Sequence, residues 1–110
     1  MNNLLFIKYC LILDVFVIDT QKQFNEMKND NIGAYLANIF NEYDTVKIHT
    51  KDRNWTRHIY LPHLYAKKAK VIVKRDSTYD VHIHGPGIGE VKIPKKTTWT
   101  FNNKNGKWKK

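Results

Sequence analysis

Two histidines, a glutamate and a lysine crowd into one short stretch. It runs Tyr79-Asp80-Val81-His82-Ile83-His84, then Gly85-Pro86-Gly87-Ile88-Gly89, then Glu90-Val91-Lys92-Ile93-Pro94. Side chains two residues apart on a strand share a face, so His82 and His84 point the same way. Beside a phosphate-holding lysine, such a pair can run metal-free phosphodiester cleavage, one imidazole as base and one as acid. With Glu90 opposite, the same residues suggest a two-histidine, one-carboxylate metal site. A lysine-rich face repels a cation and competes for Glu90, so no metal and no cofactor is expected. The alternative to all of these is a solvated strand face without chemistry. The Gly-Pro-Gly-x-Gly loop is not a phosphate cradle, because a P-loop requires a following helix and a Gly-Lys-Ser/Thr ending.

The elements that position these residues follow from periodicity. Apolar and polar residues alternate on both sides of the glycine loop, which predicts a hairpin with Ile83 facing Val91, His82 facing Lys92 and His84 facing Glu90. A second hairpin is expected to set Val73 against Val81 and Val71 against Ile83. That register places Lys70, Lys74, Asp80, His82, His84, Glu90 and Lys92 on one outward face. Asn105-Gly106 is a two-residue turn signal that pairs Asn103 with Trp108. Trp99, Phe101 and Trp108 then share a face, as a minicore or as an exposed stacking platform. Trp55 and Arg57 also share a face, so a cation–π pair is feasible.

Upstream, Thr20 and Gln23 fit a capping box. Asp30 or Asn31 can cap a second helix, whose Ile32, Leu36, Ile39, Phe40 and Tyr43 form one apolar stripe. From Thr45 the period changes to two. The predicted fold is α+β: one or two N-terminal helices packed on a mostly antiparallel, twisted β-sheet, which could curl into a small partial barrel. Residues 1–110 are expected to form a single domain.

Leu4 to Ile18 is strongly apolar. Lys8 and Asp14 interrupt it, no basic n-region precedes it and no small-residue cleavage site follows, which argues for a buried strand over a signal peptide. It is too short and too charged for a spanning helix, with a degenerate anchor as the alternative. The one cysteine, Cys10, excludes an internal disulfide and fits a reducing, intracellular compartment, cytoplasmic or organellar.

Charge completes the reading. The chain carries 19 Lys and Arg against 10 Asp and Glu, a formal net charge of +9. Residues 1–44 hold 3 basic and 6 acidic residues, whereas residues 45–110 hold 16 and 4. A basic half suggests a polyanion partner, with a merely solubilising surface as the bland alternative. The expectation is a small basic nucleic-acid-binding protein that contacts RNA or DNA backbones, within a nucleoprotein assembly or as a mobile-element accessory factor. Arg57, Lys70, Lys74, Lys92, Lys104, Lys107, Trp108 and Lys109 would carry the contacts. The second reading is a metal-free ribonuclease of the toxin type using His82 and His84. The third is a protein-interaction or inhibitor module with a basic face. No membrane partner is expected.

Overall fold

The computed structural model describes residues 15–65 and 67–110. Its strands are β1 (Val15–Ile18), β2 (Thr45–Thr50), β3 (His58–Tyr60), β4 (Ala69–Arg75), β5 (His82–Gly85), β6 (Gly89–Lys92), β7 (Thr97–Lys104) and β8 (Lys107–Lys109). Two short helices, α1 (Gln21–Met27) and α2 (Ala34–Phe40), lie between β1 and β2. The strands form two sheets, ordered β1-β2-β4-β7-β8 and β3-β5-β6. No helix among the described residues is long and apolar enough to cross a membrane. Of the apolar run Leu4–Ile18, only Val15–Ile18 is described, as β1; Cys10 and the rest of that run lie outside the described residues.

The capping box forms as expected: the Thr20 side chain accepts from the Gln23 N–H while the Gln23 side chain accepts from the Thr20 N–H. The helices turn the chain around, so β1 and β2 run parallel, as a crossover connection allows. The second cap is built differently from a simple N-cap. Gly33 occupies that position at φ 74, where an added Cβ would meet Pro62 N at 2.7 Å. The Asp30 carboxylate reaches forward and accepts from the N–H groups of Ala34 and Tyr35. Leu36 and Phe40 are buried, but Ile32 leaves the stripe and is exposed.

The larger sheet alternates cleanly. Val46, Ile48 and Thr50 of β2 are buried, as are Ala69, Val71, Val73 and Arg75 of β4. Phe101 and Asn103 of β7 and Trp108 of β8 continue that inner face. Ile59, Val81, Ile83 and Ile93 from the smaller sheet and its flanks join the same core, with Phe24, Met27, Leu36 and Phe40 from the helices. This is sheet-on-sheet packing with helices covering the remainder of the inner face.

Two expectations are corrected here. The sheet is neither single nor mostly antiparallel: β1–β2, β2–β4 and β3–β5 pair parallel, and β4–β7, β5–β6 and β7–β8 pair antiparallel. The hairpin between β4 and β5 does not exist. Val73 lies between Ile48 and Trp99 in the larger sheet, while Val81 leads into the smaller one. Alternation places a strand's apolar side inward but leaves its neighbour open, since any alternating strand satisfies it. Arg75 sits at the crossing. Its buried guanidinium donates to the carbonyls of Ser77, Thr78 and Ile93 and pairs with Asp80 at 3.3 Å, where the chain turns away from the larger sheet.

Candidate functional site

The outer face of the smaller sheet is a two-by-three lattice. The expected β5–β6 register is present: Ile83 faces Val91, His82 faces Lys92, and His84 faces Glu90. On the other side of β5 lies β3, with His58 beside His82 and Tyr60 beside His84. Since Ile59 and Ile83 point inward, His58, Tyr60, His82, His84, Glu90 and Lys92 share the outward side.

These groups touch. His58 Nδ1 and His84 Nε2 are 2.8 Å apart. Glu90 sits between two imidazoles, with Oε2 at 2.8 Å from His82 Nδ1 and Oε1 at 3.8 Å from His84 Nδ1. Tyr60 stacks on the His84 ring at 4.4 Å between centroids. Partial burial pushes the His84 pKa below its ordinary value; Glu90 opposes that shift, and His58 and His82 add to it. The direction of this shift favours the neutral imidazole over the charged one. Alternation around His58 and Tyr60 gives their strand an inward side but no neighbour, so sequence reasoning did not bring them to His82 and His84; the parallel β3–β5 pairing does. The signal that could have found them is the matching pattern of His58-x-Tyr60 and His82-x-His84.

The lysines gather elsewhere. Register places Thr45, Lys47 and His49 of β2 beside Lys70, Ile72 and Lys74 of β4, and these beside Asn102, Thr100 and Thr98 of β7. Lys109 pairs with Asn102, and Lys104 with Lys107. The outer face of the larger sheet therefore carries Lys47, Lys70, Lys74, Lys104, Lys107 and Lys109. Along one end runs a groove of about 970 Å³, lined by Lys67, Lys68, Lys70 and Lys104 with Asp44, Tyr65 and Asn102 among others.

The predicted single basic face is thus two faces. Lys70 and Lys74 lie on one sheet; His82, His84 and Lys92 lie on the other. Arg57 is exposed, and its guanidinium sits 5.2 Å from the Trp55 ring centroid, the expected cation–π pair. Asn105 and Gly106 adopt positive φ and close the β7–β8 turn with Asn103 facing Trp108, as expected. Trp108 is not a stacking platform: it is buried, lies 6.0 Å from the Phe40 ring, and donates from Nε1 to Pro62 O.

Comparison with known proteins now bears on these faces. A family model described as "Metalloprotease StcE, beta-sandwich domain" matches residues 43–110. A crystal structure of enterohemorrhagic E. coli StcE, residues 132–251, superposes with a TM-score of 0.79 at 24% identity, over 87% of each chain. No curated protein matches the chain.

These matches overturn the nucleic-acid-binding reading and the ribonuclease reading alike. The geometry explains why both failed. Trp108 cannot stack on a base. The lysines meant to hold a phosphate beside His82 and His84, namely Lys70 and Lys74, are on the other sheet. The two histidines are committed to Glu90 and His58.

Proposed function

The chain belongs to the β-sandwich family of the metalloprotease StcE, and from that premise we propose that it is a docking module that holds an acidic stretch of protein substrate. The observation that carries this reading is the lysine-bearing outer face of the larger sheet, with its groove. Six lysines on one sheet face create a positive field, which Asp76 beside Lys74 and Asp44 beside Lys67 offset only in part. Such a field steers a carboxylate-rich partner and fixes its register more than it adds raw affinity. A docking role also accords with the residues in hand, since the sequence contains no H-E-x-x-H.

The test is binding of a fluorescent glutamate-rich peptide, followed by anisotropy at low and high salt. The triple variant Lys70→Glu, Lys104→Glu, Lys109→Glu is expected to weaken binding at least about tenfold, since each rim charge changes steering and salt dependence. All three side chains are exposed, and surface substitutions of this kind leave stability within about 0.5 kcal/mol. Lys92→Glu, on the other sheet, is the matched control. Equal affinity for the wild type and the triple variant would overturn the proposal.

A further inference from the structure

We propose that His58, His84 and Glu90 form a binding site for a divalent first-row transition ion of the zinc type. One ligand atom from each lies within 4.8 Å of the others. His58 Nδ1 and His84 Nε2 lie 2.8 Å apart and can share one proton at the point where a cation would sit, while Glu90 Oε1, 3.8 Å from the other His84 nitrogen, swings round the ring edge to complete the set. In a tetrahedral zinc site with Zn–N distances of about 2.0–2.1 Å, two ligating nitrogens are about 3.3 Å apart. The pair therefore opens by roughly half an ångström when an ion replaces that proton. Imidazole and carboxylate together suit zinc, copper, nickel or cobalt better than magnesium or calcium, which prefer all-oxygen shells.

The surroundings supply what such ligands need. The Tyr60 ring stacks on His84 and holds its plane. His82 bonds Glu90 Oε2 and leaves Oε1 on the His84 side, the kind of outer contact that orients a ligating carboxylate. The three ligands come from three adjacent strands, β3, β5 and β6, so the hydrogen-bonded sheet fixes their spacing before any ion arrives. The electrostatic objection raised from sequence also falls. It rested on Lys70 and Lys74 sharing this face, and both lie on the other sheet; Lys92 remains, paired with His82 rather than with a ligand. Three protein ligands leave one position for water or for a group from a partner.

The chain without an affinity tag, titrated calorimetrically with zinc chloride and separately with magnesium chloride, tests the site. The expected result is one zinc bound per chain and no magnesium. His58→Ala and His84→Ala should each abolish zinc binding, and His82→Ala should weaken it about 10–100-fold, the usual cost of an outer-shell loss. Glu90→Gln should weaken it at least about tenfold. Its side chain is half exposed, so this variant keeps the test valid if a histidine variant fails to fold. His63→Ala, on an exposed loop, should bind like the wild type. No zinc binding by the wild type, or equal affinity in Glu90→Gln and the wild type, would overturn the proposal.

Discussion

The two outward faces of this sandwich are built by the same alternation, yet they offer opposite chemistry. On the larger sheet, lysines recur along β2, β4, β7 and β8, mostly beside threonine, asparagine or isoleucine. Their charges act over several ångströms and are screened by salt. On the smaller sheet, His58 meets His84 and His82 meets Glu90 at hydrogen-bonding distance, and proximity rather than net charge decides what they do. Strand alternation alone cannot distinguish a steering surface from a ligand cluster. Which strands become neighbours makes that distinction.

That separation holds only while the sheets stay back to back, and Arg75 is a buried polar tie between them. The side chain is 2% exposed and satisfies three carbonyls from the segments that lead into and out of the smaller sheet. Arg75→Met would keep the apolar stem but leave those acceptors unsatisfied. Urea denaturation should show a loss of about 3–5 kcal/mol, the range for stranding buried polar partners. A loss below about 1 kcal/mol would mean that apolar packing alone joins the sheets.

The opposite end of the smaller sheet is tied less strongly. The β5–β6 loop leans on β8: Trp108 N donates to Pro86 O at 2.7 Å. Gly87 has φ 91, and a Cβ there would meet Trp108 O at 2.9 Å. Gly87→Ala combines a positive φ with a backbone clash, and should cost about 1–3 kcal/mol in the same assay. Gly89, with φ 64 but open space around it, should cost less on substitution to Ala. Equal losses at the two glycines would place the whole effect in backbone conformation and none in the contact with β8.

Sequence reasoning reached what is local and stopped at what is not. The Thr20 capping box, the Asn105-Gly106 turn and the Ile83–Val91 register were legible because each is decided within a few residues. The partner of β4 was not. Its Val71-x-Val73 pattern suits any apolar neighbour, and the strands that flank it come from about 25 residues upstream and downstream in the chain. The candidate site shared that fate. His82, His84 and Glu90 were visible as a hairpin, whereas His58 entered only through the parallel pairing of β3 with β5. The same error of pairing put Lys70 and Lys74 beside the histidines and gave the ribonuclease reading its phosphate-holding lysines, whereas the polyanion partner had come from the net charge of residues 45–110.

The smallest effect expected is on the lysine face itself. Asp76 accepts from His49 Nε2 at 2.6 Å, with Lys74 3.9 Å away. The hydrogen bond from His49 is the main cause that holds the Asp76 carboxyl below its ordinary value of 3.8; slight desolvation opposes it, and Lys74, the His49 charge and Lys51 reinforce it. The folded state therefore binds this proton less readily than the unfolded chain. By linkage, stability from the pair is fully present above about pH 3.8 and is lost as pH falls through the lowered folded value. Asp76→Asn should flatten that acid limb of the stability curve, measured by thermal melts across pH: its small deficit against the wild type should be full near neutrality and should vanish as pH falls through the limb. Because the carboxylate is exposed, added salt should shrink the difference between variant and wild type. A difference that persists in high salt would place Asp76 with the short-range contacts of the histidine face rather than with the screened charges of its own.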